Sequence, residues 1–443
     1  MRKTLFFLFA GGLYAQDALS LRDAVRLAIR ENKAMAAAAA GAQVAQARIT
    51  EARSGWLPKV NYAESFARSD NPVFVFSSLL TEHQFGPENF NIGPLNRPEF
   101  LNNFQSQVTV DQVLYDAGQS RNAVKSAQLA RKLTGEEQRR VEMEVISGVA
   151  RAYYGAVLAA ESLKTAEQAV RSAEADLKRA ESVRAAGMST DVDVLSIRVH
   201  LAAIHEQRIR RAADVDVAKA ALNDALGLPL DTPHTLTTGL APLAVTGLAP
   251  ADVEREASAG RPETREMRLA KDLAQTQLEA ARGALLPQVS FRAGFEADRQ
   301  RFITRGGANW MASVSVRWNL FNGFADKARI AESSHLLRRA ESDEQRTDSA
   351  VRLQARRSSA DLRAAEQRID VAKAAVAEAE ESLRITQNRY QAGMANVTDL
   401  LHNETALLES RTRYLAAVHD ERVAATLLEY AAGRLSADSE VLN

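Results

Sequence analysis

Hydrophobic and polar positions follow two periods along this chain. Leu163, Ala166, Val170, Ala173, Leu177 and Ala180 are spaced alternately by three and four, and Ile369, Ala372, Val376, Ala379, Leu383 and Thr386 repeat the stripe in the second half. Three-four alternation averages 3.5 residues, the seam of a left-handed coiled coil, and alanine at every second position lets helices approach closely. The other period is two. Val289, Phe291, Ala293 and Phe295 alternate with Ser290, Arg292, Gly294 and Glu296, and Val314, Val316, Trp318 and Leu320 alternate with Ser313, Ser315, Arg317 and Asn319. These predict strands with one apolar and one polar face. Val60, Tyr62 and Phe66, then Phe104, Val108, Val110 and Leu114, predict a weaker pair in the first half.

Proline and glycine set the helix lengths. No proline lies between Pro98 and Pro229 or after Pro287, and proline costs about 3 kcal/mol inside a helix. Long helices are therefore predicted from Gln119 to Ala186 and from Phe324 to Ala392, each of about 68 residues and on the order of 100 Å. Gly187 and Gly393 end them, and second helices return to Gly227 and Gly433. The halves correspond at one constant offset: Gly187-Met188 recurs as Gly393-Met394, Asp193 as Asp399, Leu195 as Leu401, Leu222 as Leu428 and Gly227 as Gly433. Each repeat thus holds a long antiparallel helical hairpin preceded by two strands. Charges between the apolar positions, such as Glu174, Asp176, Lys178 and Arg179, read as solvated faces.

The predicted organisation is a signal peptide over 1–15, a first repeat over 16–228, a linker over 229–249, a second repeat over 250–435 and a tail over 436–443. Strands are expected near 58–69, 104–115, 288–299 and 309–321, with a long loop over 71–103. Arg2 and Lys3, the apolar run from Leu5 to Leu13 and Ala15 form the signal pattern, with a buried N-terminal strand as the other reading. No later apolar run approaches the roughly 20 residues of a membrane helix, so any membrane crossing must use strands. A soluble sheet with one buried face gives the same alternation; the signal pattern and the lack of another core favour membrane. Four strands cannot close a spanning barrel, because open edges in lipid leave backbone groups unpaired. Two chains would supply eight strands and three would supply twelve.

Composition removes other classes. The chain of 443 residues has no cysteine, which excludes disulfides, thiolate metal sites, a cysteine nucleophile and a lipidated cysteine. Lys plus Arg and Asp plus Glu are 56 each, so no basic field points to nucleic acid. No phosphate loop, nucleophile elbow or dinucleotide fingerprint is present, and no cofactor or catalytic residue is predicted. His200 and His205 are five apart, not the i,i+4 spacing of a helical metal pair.

Several junctions together carry a family resemblance. Trp56-Leu57-Pro58-Lys59-Val60 and Leu285-Leu286-Pro287-Gln288-Val289 resemble the helix-to-strand junctions of TolC-like outer membrane efflux proteins. Leu114-Tyr115-Asp116-Ala117-Gly118 and Leu320-Phe321-Asn322-Gly323-Phe324 resemble the strand-to-helix junctions. Arg389-Tyr390-Gln391-Ala392-Gly393-Met394, then Asp399-Leu400-Leu401, resembles a hairpin tip, and Ala24 to Lys33 the opening helix. The resemblance implies a mainly α fold with a membrane β part. It implies a homotrimer with a twelve-stranded β-barrel in outer-membrane lipid and a periplasmic α-barrel. It also implies a periplasmic adaptor and an inner-membrane pump as partners. The implied function is a passive export duct for small molecules or, in type I secretion, proteins; a periplasmic coiled-coil adaptor or scaffold is the alternative. By the same resemblance Gly187, Met188, Gly393 and Met394 are adaptor-docking tips. Asp399 matches an aspartate of the periplasmic constriction, and His402 stands where a second acid is common. An imidazole titrates near neutral pH, so the ring would be less negative and more pH-sensitive than a doubly acidic one. The stretch from Asn71 to Asn103 departs from the second half by its length and reads as an outer-face loop, passive or acting as a lid.

Overall fold

The computed structural model describes residues 18–187, 190–243, 249–303 and 306–443. The signal pattern over 1–15 and Met188 lie outside them. In chain order the elements are β1 (Ala18–Leu19), α1 (Leu21–Glu31), α2 (Lys33–Arg53), β2 (Lys59–Ser69), α3 (Pro72–Thr81), α4 (Ile92–Asn96), β3 (Leu101–Tyr115), α5 (Gln119–Ala185) and α6 (Asp191–Leu226). Then follow β4 (Thr235–Leu236), α7 (Pro250–Gly260), α8 (Pro262–Gly283), β5 (Gln288–Arg299), β6 (Gly307–Arg317), α9 (Ala325–Gln391) and α10 (Val397–Ala432). The duplication is visible in the lengths: α5 and α9 are both 67 residues, and α6 and α10 are both 36.

The chain divides into two compact units. The helical unit comprises Met1–Gly41, Gly135–Glu266 and Glu344–Asn443. Its core gathers Leu21, Val25, Ile146, Tyr153, Tyr154, Leu222, Leu226 and Leu442, all nearly inaccessible to solvent. Tyr153 donates its hydroxyl to the Leu19 carbonyl at 2.8 Å and accepts from the Thr238 amide at 2.9 Å, so the buried phenol is satisfied beside the parallel pair β1–β4. Both short helices of the hairpins end at a left-handed glycine, Gly227 and Gly433, each at φ 79°. A Cβ at Gly227 would meet the Glu31 carbonyl oxygen at 2.7 Å, and one at Gly433 would meet the Arg261 amide nitrogen at 2.7 Å. The two glycines thus serve twice, for the cap and for close approach to the α1–α2 and α7–α8 junctions. The predicted seam of the first hairpin is buried, with Val170 and Ala173 against Ile204. In the second hairpin Ile369 packs on Ala417 and Val418.

The second unit comprises Ala42–Thr134 and Met267–Asp343. Its centre is an antiparallel sheet in the order β2-β3-β5-β6. The register puts Val60 opposite Val110, Tyr62 opposite Val108, Val108 opposite Phe295, Phe291 opposite Val314 and Phe295 opposite Trp310. These residues form one apolar face, and much of it is bare: Trp310 is 80% exposed and Tyr62 67%. A contiguous apolar face of this kind calls for lipid or protein cover. The opposite face is a polar ladder: Arg292 donates to Asp111 at 2.6 Å, Ser290 and Ser315 lie 2.9 Å apart, and Asn103 donates to Asp298 at 2.8 Å. β6 ends at Arg317, short of the expected 321, because its partner β5 begins at Gln288 and offers no ladder beyond it. Trp318 instead donates its indole N–H to the Leu285 carbonyl at 3.0 Å. The stretch expected as a long loop carries α3, a 3-10 turn over Pro87–Phe90 and α4 before β3 begins at Leu101.

Candidate functional site

The residues singled out by sequence cluster where the two hairpins turn. α9 ends in a Schellman cap: the Met394 amide donates to the Arg389 carbonyl at 2.8 Å and the Gly393 amide to that of Tyr390 at 3.0 Å. Gly393 has φ 69° and Gly187 φ 75°, both left-handed. At neither would a Cβ find any atom of the described residues within 4 Å, so each glycine answers to backbone conformation. Met394 is 65% exposed. The tips meet in an apolar cluster of Ala180, Val194, Ile197 and Val397, with Leu177, Tyr390 and Leu401 against it. Burial raises the Tyr390 phenol, and the charges of Asp193 and Asp176 raise it further.

The paired aspartates differ. Thr190 and Asp193 form a capping box at the start of α6: the Asp193 amide donates to Thr190 Oγ1 at 3.3 Å, and the Thr190 amide donates to Asp193 Oδ2 at 3.1 Å. In the second repeat Asn396 takes the threonine's place and caps α10, accepting from the Asp399 amide at 2.7 Å. The Asp399 carboxylate has no hydrogen bond or ion pair among the described residues and is exposed. His402, one turn on along α10, is also exposed, so both project from one side of the helix end.

Sequence reasoning missed a second group of residues. Asp176, expected on a solvated face, is 4% exposed and sits with Glu404, His200 and Ser172 where α5, α6 and α10 converge. Arg179 donates to Asp176 at 3.2 Å, His200 Nε2 lies 3.3 Å from Glu404 Oε2, and Ser172 donates to Glu404 at 3.4 Å. Burial, then the hydrogen bond and charge of Glu404, push Asp176 up to about 7 against the pull of Arg179. Burial works upward on Glu404 too, but its bonds to His200 and Asp176 outweigh that and hold it below the usual value. The two neighbouring carboxyls are thus shifted in opposite directions, Asp176 upward and Glu404 downward. Beside them lies a cavity of about 80 Å³ that Thr165, Gln168 and Arg411 also line. The available signal was a break in the repeat: Asp176, Arg198 and His200 correspond to Ser382, Glu404 and Ala406. His205 stands apart, 3.9 Å from Glu174.

Duplicated hairpins in one unit and, in the other, a sheet with one bare apolar and one polar face are the features of an outer-membrane channel chain, and comparison with known proteins agrees. The sequence pattern of the outer membrane efflux protein family matches residues 24–228 and 253–434, one block in each half, and the chain belongs to that family. It is 28% identical over 339 residues to protein CyaE of Bordetella pertussis, covering 74% of this chain and 70% of that one. It is 25% identical over 469 residues to the alkaline protease secretion protein AprF of Pseudomonas aeruginosa, covering 100% and 91%. The fold matches the CmeC outer membrane channel of Campylobacter jejuni with a TM-score of 0.80 at 15% identity, over 95% of this chain and 87% of that one. The protein is an outer-membrane export channel with a large periplasmic part, the channel component of a tripartite export system. Its family and fold are those of channel proteins.

Proposed function

We propose that three copies of this chain form a passive duct without catalytic activity, closing a twelve-stranded barrel from their four-stranded sheets. The observation that carries this is the sheet itself. It has a bare apolar face, a hydrogen-bonded polar face, and two open edges, β2 and β6, that lipid cannot satisfy. Pairing β2 of one chain with β6 of the next removes every edge. The hairpin tips, with Gly187, Met188, Gly393 and Met394, take a periplasmic adaptor that links the duct to an inner-membrane pump. Small molecules are the cargo of this reading. The match to AprF over the whole chain favours a second one, in which the cargo is a polypeptide.

Asp399 and His402 line the periplasmic mouth in this proposal. Asp399 is suited to it because Asn396 does the capping and leaves the carboxylate to solvent. Three symmetry-related carboxylates make a ring that favours cations and binds multivalent ones. Asp399→Ala should lower cation selectivity and weaken block by multivalent cations in planar bilayers, whereas His402→Asp should strengthen both. Unchanged selectivity and block in both variants, at normal conductance, would remove these residues from the mouth.

A further inference from the structure

The segment after β2 folds back onto the polar face of the sheet. Asn71 caps α3, accepting from the amides of Val73 at 3.0 Å and Phe74 at 3.3 Å, with Pro72 in the first turn. The far end of α3 is held by β6: Asn309 donates its side-chain amide to the Thr81 carbonyl at 3.0 Å, and His83 Nε2 lies 3.2 Å from Asn309 Oδ1. Glu82 is thereby placed beside Asp298, and the two carboxylates are 2% and 1% exposed. Gly306 and Gly307 seal the spot, since a Cβ on either would collide with the Asp298 or the Thr81 carbonyl.

The polar atoms there do not balance. Gln300 donates to Glu82 Oε2 at 2.9 Å, and Asn103 donates to Asp298 Oδ1 at 2.8 Å. That leaves Glu82 Oε1, Asp298 Oδ2 and the carbonyl oxygen of Asn103, itself 8% exposed, with no donor. Neither carboxylate has an ion-pair partner among the described residues. The neighbouring Arg299 is turned to the other face, where it pairs with Glu64 at 3.2 Å. Two buried carboxylates without counter-charge, next to an orphaned amide oxygen, are a costly arrangement that a cation resolves.

We propose that Glu82, Asp298 and Asn103 hold a hard divalent cation of the Ca²⁺ class, which fastens the end of α3 to the polar ends of β3 and β5. The donor set is oxygen only. Carboxylate and amide oxygens are hard donors, which a softer ion that prefers imidazole or thiolate binds poorly. Two carboxylates with one neutral amide oxygen suit the irregular shell of Ca²⁺ better than the strict octahedron of Mg²⁺, and so few charges place the affinity on the order of 0.1–1 mM. This site stands within one chain and does not depend on how chains assemble. Its rival is a proton: burial, opposed by the Gln300 bond and helped by the charge of Asp298, raises the Glu82 carboxyl.

Equilibrium dialysis of the metal-stripped, detergent-purified full chain against radioactive Ca²⁺ at alkaline pH separates the two. One saturable Ca²⁺ per chain is expected. Glu82→Gln and Asp298→Asn should each weaken it about tenfold or more, Asn103→Asp should tighten it, and Glu99→Gln, an exposed acid of the same segment, should leave it unchanged. Ca²⁺ should also slow cleavage after the exposed Glu88 by a glutamate-specific protease more than Mg²⁺ does. Absence of saturable binding to the folded wild-type chain would overturn the proposal. So would equal binding by the wild type and a folded Glu82→Gln/Asp298→Asn double variant, and equal cleavage rates with and without Ca²⁺ would overturn the fastening.

Discussion

Asp176 and Glu404 sit where two copies of one repeat stop being alike. Their counterparts are Ser382 and Arg198, so only the meeting of unlike hairpins brings two carboxyls together. A local pattern could not reveal this, because the spacing of Glu174, Asp176 and Lys178 is the same on a solvated face and on a face covered by a distant helix. The tip residues were more legible, since Gly187 and Gly393 are required by chain geometry at their own positions. The acid pair has a pH consequence. The folded-state value of Asp176, about 7, exceeds its ordinary 3.8, so its contribution to stability is whole below 3.8 and is lost as pH rises through about 7. Glu404 has the opposite sign: its contribution is present above 4.5 and is lost as pH falls through its depressed value. Thermal unfolding of the wild type should therefore fall, relative to Asp176→Asn, between about pH 4 and pH 8. A difference between the two melting temperatures that stays flat across that window would contradict the raised Asp176 carboxyl.

At the scale of elements, punctuation and period made the hairpins and the strands readable. Proline-free stretches became α5 and α9, and period-two runs became β5 and β6. The insertion was less readable. Asn71-Pro72 is a good N-cap followed by a helix-compatible proline, yet the prolines, asparagines and phenylalanines around it have the composition of a loop. α3 also depends on Asn309 and Gln300, far away in sequence, which no local pattern includes. The turn of α9 provides an element-scale test of docking. Gly393 is left-handed, so any residue with a Cβ costs about 1–2 kcal/mol there, which asparagine tolerates best. Gly393→Asn should keep export near normal, whereas Gly393→Trp, placing a bulky ring at the tip, should abolish it while assembly stays intact. Normal export by a well-expressed Gly393→Trp variant would contradict the docking role.

At the level of the whole molecule, a single chain leaves its sheet unfinished. The apolar face of Val60, Tyr62, Trp310 and Val316 is bare, and the edges β2 and β6 lack strand partners among the described residues. A sheet in that state is stable in a bilayer only when closed on itself, and four strands do not close. The alternation of residues announced the two faces but not the number of chains, because chain count belongs to the barrel and is not encoded in any one strand's period. The most direct test is the subunit stoichiometry of the protein extracted from outer membranes in mild detergent, measured by native mass spectrometry. Three chains per particle are expected, recovered from the outer-membrane fraction. A monomer in the soluble periplasmic fraction, or a particle of two chains, would contradict the trimeric duct.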